Sequence, residues 1–493
     1  TNDFPYSIFN WVGIDGSQVL THVPRVILPY TYNGEVDAAK LKEIEANYEE
    51  QKKENVFDYK FGDSSNYFKK DRVIPDQNLI YIYGYGDGGG GVTEEFIEKL
   101  KRFKELPYLP DIDFSQPREY FEKIDQERKE NDITYPDWRG ELYLEYHRGT
   151  YTSQAEIKLK NRRLEEKLKK AEILNTIYQS AEQKNLEKLW QALLSNQFHD
   201  ILPGTSIKKV YGDVNQIYKD VEEELDQIIY NNLEQALSLN DANSTPDQGA
   251  SADDQSEYLL VFNSLARKRN AYLEIECSQL NIDFEAELRV QNWPDGKNLR
   301  YSFKKNLNSK EILKIYLEDL AGLSASLIKI EAVGKNKLKK AKSDFISKNY
   351  SRDQLQQKSI QIENQYYRLK FDNRGRISSI YDKNLERELV ESEKKANQLQ
   401  FFVDKPPRYD AWEIEADFAE NEIKKELKLE KFTVAEDDLE KRAILNWSFR
   451  DSTIKQEIIL LNDKKRIDFK SELDWQEREI LVKTAFPVDV LSE

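Results

Sequence analysis

At 493 residues, with 39% hydrophobic and 33% charged side chains, the chain is long enough for about three domains of roughly 150 residues and too apolar to be disordered. Asp and Glu number 90 against 74 Lys and Arg, and the net charge of −16 argues against a phosphate backbone as partner. No run reaches the ~18 consecutive apolar residues of a membrane helix, no charged-then-apolar leader precedes Asn10, and the single cysteine, Cys277, excludes an internal disulfide; the expectation is a cytoplasmic protein bound to neither nucleic acid nor membrane.

The first 32 residues are rich in Val, Ile, Tyr, Thr and Pro and read as short strands and loops, and 36–55 are helical by composition. Phe4, Ile8, Phe9 and Trp11 need partners to bury them, so the sequence reads from its first residues as mid-domain. Methionine is absent, where average usage of about 2% would give roughly ten. Those first residues, together with an unfinished strand from Ile480 to Val490, lead to the expectation of an internal segment of a longer protein. Asn78 to Tyr83 is an apolar run of buried-strand length that leads into a glycine-rich turn, Gly84 to Gly91. A helix follows, with Thr93 as N-cap and Phe96, Ile97, Leu100 and Phe103 on one face. Strand, turn, helix is an α/β unit, and residues 1–112 read as the C-terminal portion of an α/β domain.

Residues 113–240 read as a three-helix bundle. Leu159, Leu164, Leu168, Ile173 and Ile177 mark one helix and Leu186, Leu189, Trp190, Leu193, Leu194 and Phe198 a second. The third follows Pro203-Gly204, with Ser206 as its cap and Ile207, Val210, Val214, Ile217, Val221, Leu225, Ile228 and Leu233 in a three–four rhythm. A polar linker, 240–256, precedes a change to period-two alternation, as in Tyr258–Phe262, Tyr272–Cys277, Tyr367–Phe371 and Ile377–Tyr381. This predicts a β-sandwich over 257–345 and a partial C-terminal β-sandwich over 346–493, with a helical interruption at 335–360 and a closing strand from Ile480. The fold class is thus multidomain α+β: part of an α/β domain, a three-helix bundle, then antiparallel sandwiches.

Three histidines are present, His22, His147 and His199. His199 lies in Asn196-Gln-Phe-His-Asp-Ile-Leu-Pro-Gly-Thr-Ser206, at the end of an amphipathic helix. A helix-terminal histidine serves either as a structural cation at the carbonyl end or as a zinc ligand, with Asp200 orienting the ring or binding a sugar hydroxyl. The run Gly84-Tyr-Gly-Asp-Gly-Gly-Gly-Gly91 lacks the Gly-Lys-Ser/Thr of a phosphate loop and the spaced dinucleotide fingerprint. It holds Asp87 on bare backbone at the C-terminal end of a strand, where open α/β sheets bind ligands. A solvated turn explains it equally. Glu141-Leu-Tyr-Leu-Glu-Tyr-His-Arg-Gly-Thr-Tyr-Thr-Ser153 gathers aromatic, basic and hydroxyl groups, which suits a sugar or a packed domain junction.

Taken in chain order, from the glycine run to the Asn196–Ser206 stretch, these three stretches resemble the cytosolic and vacuolar type α-mannosidases of glycoside hydrolase family 38. Phe9 to Val23, Asn397 to Pro406 with Asp410-Ala-Trp-Glu-Ile414, and Ala485-Phe-Pro-Val-Asp489 extend the likeness over essentially the whole chain. The resemblance implies zinc-dependent cleavage of terminal α-mannosides, including N-glycan-derived oligosaccharides, with retention of configuration by two carboxyl groups about 5–5.5 Å apart. It makes His199 a zinc ligand, Asp200 a contact to the bound sugar and Asp87 the candidate acid/base, with His147 and Arg148 as substrate-binding residues. The family's His-x-Asp zinc pair and nucleophilic Asp belong before Thr1, so this stretch alone is expected to be inactive. Val92 stands where the family has a proline after the glycine run. The alternative is a non-catalytic carbohydrate-binding or assembly scaffold. Oligomeric state is left open, self-association included.

Overall fold

Residues 6–23, 42, 78, 80, 91–105, 112–142, 147–178, 183–240, 256–284, 286–306, 309–333, 346–350, 354, 360–415 and 417–489 are described in a computed structural model. The chain divides into two units, residues 1–145 and 146–490. In the first, Ile8–Val12 (β1) buries Ile8, Phe9 and Val12. It pairs antiparallel with Gln18–His22 (β2) and parallel with Asp137–Arg139 (β3). The β1–β2 turn is closed by Asp15, whose carboxylate accepts from the Ser17 N–H at 3.0 Å and hydroxyl at 2.7 Å.

Glu94–Phe103 (α1) starts as its residues dictate: the Thr93 hydroxyl accepts from the Phe96 N–H at 3.3 Å, and Glu94 and Glu95 sit at the positive end of the helix dipole. Phe96 and Leu100 are buried. Pro117–Glu130 (α2) was expected in the bundle; it belongs instead to the first unit, because its buried Tyr120 and Ile124 share a small core with Ile8 and Tyr135. The boundary therefore falls at 145/146 and not at 112/113. The strand expected at Asn78–Tyr83 and the glycine run with Asp87 lie outside the described residues, apart from Asn78, Ile80 and Gly91, as does 36–55 apart from Lys42.

In the second unit Ala155–Tyr178 (α3), Gln183–Ser195 (α4) and Lys208–Asn240 (α5) share one apolar seam. Leu164 and Leu168 meet Leu186, Leu189 and Leu193 and the α5 row Val214, Tyr218, Val221, Leu225 and Ile228. Leu159, Ile177, Leu194, Phe198 and Ile207, which the spacing also assigned to the seam, are exposed. They lie one residue to the side of the buried stripe or in the flanking turns. The Ser206 hydroxyl does not cap α5; it donates to the Asp200 carbonyl at 2.7 Å and pins the preceding turn.

Beyond the bundle come two packed sheets. Ser256–Asn263 (β4), Arg269–Glu276 (β5), Glu287–Trp293 (β6), Arg300–Lys305 (β7), Glu311–Leu320 (β8) and Ser324–Val333 (β9) form the orders β4-β9-β6 and β5-β8-β7, all antiparallel. Leu288, Val290, Ile328 and Ile330 from one sheet meet Leu313 and Ile315 from the other. This is the alternation pattern made into a sandwich core.

The C-terminal part follows with Ile346–Tyr350 (β10), Ile360–Glu363 (β11), Tyr367–Phe371 (β12), Ile377–Asp382 (β13), Arg387–Glu388 (β14) and Gln398–Val403 (β15). It ends with Lys428–Glu436 (β16), Glu440–Phe449 (β17), Ser452–Leu461 (β18), Asp468–Asp474 (β19) and Ile480–Ala485 (β20). Sheets β10-β16-β17-β18-β19, β11-β12-β13-β14 and β15-β20 share one core that includes Leu369, Phe401, Phe432, Leu445 and Phe449. The helical interruption expected over 335–360 is corrected in part: Ile346–Tyr350 is a strand on the edge of the five-stranded sheet, paired with β16. Pairing with β16 decides the state of these five residues over what their local composition favours.

Candidate functional site

The chemistry-bearing stretches of the second unit converge on one cluster of turns. After α4 the chain continues through helical turns, with Asn196 N–H donating to Leu193 O at 3.0 Å and Gln197 N–H to Leu194 O at 3.0 Å. The Gln197 amide reaches across to Glu165 Oε1 at 2.8 Å on α3. That anchoring leaves Phe198 and His199 projecting, their ring centroids 4.2 Å apart and the His199 side chain 78% exposed. His199 Nε2 stands 3.6 Å from Asp200 Oδ2. The Asp200 carbonyl oxygen accepts from Ser206 and, at 3.3 Å, from Thr205 Oγ1, so Pro203-Gly204 closes a tight loop between α4 and α5.

Gly204 is fixed by two facts. Its φ is +91°, and a Cβ there would lie 2.4 Å from the carbonyl oxygen of Ser153. The turn after residue 147 is thus pressed against the turn carrying His199. Lys158 seals the contact: its Nζ donates to the carbonyls of Ser153 at 2.6 Å, Leu202 at 2.9 Å and Pro203 at 3.0 Å. Burial pushes the Lys158 pKa below the ordinary lysine value.

The turn at 147–153 begins with His147 in the left-handed region, φ 64°. A loop of the C-terminal sandwich, 405–415, is clamped to it. Gly149 N–H donates to Trp412 O at 2.7 Å, Ser153 Oγ to Ala411 O at 2.7 Å, and His147 N–H to Glu413 Oε2 at 3.3 Å. His147 Nδ1 is 2.5 Å from Glu413 Oε1. Only glycine fits at 149, where a Cβ would lie 2.9 Å from the Trp412 oxygen. Arg148 is partly buried in the same turn. On the loop, Tyr409 is also left-handed, φ 58°, and its ring lies 5.2 Å from that of Trp412, which is 6.0 Å from the His147 ring. Burial raises the Asp404 carboxyl above the usual range, with Asp410 and Glu415 adding to the shift.

Four of the five residues singled out in the sequence, His147, Arg148, His199 and Asp200, therefore lie in two turns that touch. Asp87 lies outside the described residues. The sequence reading gave no role to Gly149, Lys158, Trp412 or Glu413. The run Asp410-Ala-Trp-Glu-Ile414 was a visible signal, but nothing in one dimension pairs it with a turn more than 250 residues earlier. Among the described residues no three His, Cys, Asp or Glu side chains come together to hold an ion.

Three family models match the chain in order: the glycosyl hydrolases family 38 N-terminal domain over residues 1–141, the alpha mannosidase middle domain over 145–236, and the glycosyl hydrolases family 38 C-terminal domain over 362–493. The chain belongs to glycosyl hydrolase family 38. This family 38 chain is 29% identical to alpha-mannosidase G of Dictyostelium discoideum, over 98% of its own length and 42% of that protein. It is 27% identical to human alpha-mannosidase 2C1, over 100% of its length and 40% of that protein. It spans about two fifths of the length of these curated relatives. Among solved structures, an alpha-mannosidase from Enterococcus faecalis V583 superposes with a TM-score of 0.56 at 14% identity, covering 99% of this chain and 58% of that one, which shows a shared fold. The second and third family models meet in the site, since the 147–153 and 198–206 turns lie in one and the 405–415 loop in the other.

Proposed function

We propose that the full-length protein is a zinc-dependent α-mannosidase that hydrolyses terminal α-mannosides of N-glycan-derived oligosaccharides with retention of configuration. The observation that carries the reading is the clamp itself: the motif turns holding His147 and His199 press together at Gly204 and Ser153 and are locked to the 411–413 loop, within a chain matched by three models of one glycosidase family. In this reading His199, with Asp200 beside it, offers the imidazole corner of the zinc site, and the remaining ligands lie outside the described residues. Bound there, the ion would supply a Lewis-acidic template for sugar hydroxyls.

The protein's own groups do the rest. Asp87 is the candidate acid/base, protonating the leaving oxygen and then deprotonating water, opposite a second carboxylate that acts as nucleophile. His147 and Arg148 hold substrate hydroxyls. The place of action is the cytoplasm, which suits a lone buried cysteine, Cys277, with no disulfide. No helix among the described residues is long and apolar enough to cross a membrane.

The test is hydrolysis of an aryl α-mannoside by the full-length protein, with the aryl β-mannoside as control, before and after chelation and zinc readdition. The reading expects α-specific turnover that the chelator abolishes and zinc restores. Mannose binding without any hydrolysis favours the carbohydrate-binding scaffold instead.

A further inference from the structure

The clamp leaves a second feature that the chemistry of one sugar does not use. Two ring groups lie on separate chain segments: exposed Phe198 with exposed His199 on the turn after α4, and exposed Tyr409 with half-buried Trp412 and exposed His147 on the sandwich loop and its partner turn. Ser153 joins them, its hydroxyl donating to Ala411 O and its carbonyl lying against Gly204. The first group carries the candidate metal ligand and so belongs to the sugar whose bond is broken. We propose that the second, centred on Tyr409 and Trp412, is a binding subsite for another hexopyranose of the same oligosaccharide. This inference rests on the mannosidase reading.

A pyranose presents one face of C–H bonds and a rim of hydroxyls. The faces of aromatic rings take the first, and carboxylates or imidazoles take the second. Tyr409 is 59% exposed, so its ring is offered to solvent and not spent on a core. Asp410 is exposed beside it, and His147 and Glu413 place an imidazole–carboxylate pair at the other end of the platform. The platform is also held in place before any ligand arrives. Trp412 N–H and Glu413 N–H both donate to Tyr409 O at 2.8 Å, and the Trp412 carbonyl is taken by Gly149. Both Tyr409 and His147 adopt left-handed backbone, a conformation that non-glycine residues keep where surrounding bonds enforce it. A sugar docking there meets rings whose ordering is already complete.

The experiment compares an α-linked mannobiose with an aryl α-mannoside in the full-length protein. The variant is Tyr409→Asn, since asparagine tolerates the left-handed region and lacks the ring; Tyr409→Phe, which keeps the ring, is the control. The quantity read is the ratio of kcat/KM on mannobiose to kcat/KM on the aryl mannoside. The subsite predicts a fall of about tenfold or more in Tyr409→Asn, one stacking contact's worth, and a ratio within about twofold of wild type in Tyr409→Phe. An unchanged ratio in Tyr409→Asn overturns it. If the wild-type protein cleaves neither substrate, the mannosidase reading fails separately, and the subsite is decided by calorimetry with thio-linked mannobiose. Binding weakened about tenfold by Tyr409→Asn then supports it. Equal binding by the two proteins, or none by wild type, overturns it.

Discussion

His147 adopts a left-handed backbone at a cost of about 1–2 kcal/mol for a residue with a Cβ. Glu413 offsets that cost by accepting from both its N–H and its ring. Strain met by a specific partner in a motif turn is what a site requires and a solvated turn does not. Asp87 carries the other residue-scale claim. In the full-length protein, Asp87→Ala should lower turnover of mannosides with poor leaving groups by about 10²–10⁴-fold, the usual worth of general acid assistance. A dinitrophenyl mannoside, whose leaving group needs no protonation, should still form the glycosyl-enzyme, and azide should accelerate its breakdown. Equal losses on both substrates without azide rescue would remove Asp87 from the acid/base role.

At the scale of elements, close approach explains which glycines are indispensable. Gly149→Ala puts a Cβ 2.9 Å from the Trp412 oxygen and 3.0 Å from that of Ala411, so one strand of the clamp must open. We expect a loss of about 1–3 kcal/mol in denaturant-midpoint stability, the range for a forced steric insertion, and weaker activity on oligosaccharides. Unchanged stability would show that the loop and turn are not locked. Here the sequence was informative about parts and silent about pairing. The helices were legible because Leu164, Leu168, Leu186, Leu189 and Leu193 keep the 3.6-residue period, and Thr93 caps its helix as its type predicts. Ser206 was misread as a cap because the helix begins only at Lys208, two residues on, and the Ser206 hydroxyl instead donates to the Asp200 carbonyl in the preceding turn. The strand at Ile346–Tyr350 was hidden because edge pairing with β16, a tertiary event, decides its state. The clamp was hidden for the same reason, since His147 and Glu413 meet only once the sandwich has docked on the bundle.

At the scale of the whole molecule, the two sandwiches meet through charge and not only through apolar area. Lys304 and Lys314 of the first face Glu440, Arg442 and Glu457 of the second, all nearly inaccessible, with Glu274 completing three cations against three carboxylates. Tyr316 donates to Asp463 at 2.7 Å and Tyr272 donates to the same carboxylate. Burial alone would raise the Glu440 pKa, but Lys304, Lys314 and Arg442 outweigh it and hold the group below the ordinary glutamate value. A depressed folded pKa means that this stabilisation is complete above the unfolded value near 4.5 and is lost as pH falls below it. Acid unfolding followed by circular dichroism should therefore begin below about pH 4.5, and Glu440→Gln should flatten that acid limb. Lys314→Met leaves the buried Glu440 short of one cation and should cost about 3–5 kcal/mol, and the double variant Lys314→Met/Glu440→Gln should cost less than the two single changes added together. An acid limb as steep in Glu440→Gln as in wild type would show that the network does not set the pH response.

The account as a whole turns on whether this chain contributes a metal-holding histidine to an α-mannosidase. The most direct measurement is the zinc content of the full-length protein after gel filtration, wild type against His199→Ala, since loss of one imidazole from a catalytic zinc site should deplete the metal. The account predicts a single zinc per wild-type chain and a clear deficit in His199→Ala, with α-mannosidase turnover falling in parallel. Equal zinc in both proteins, or full turnover in His199→Ala, would contradict it.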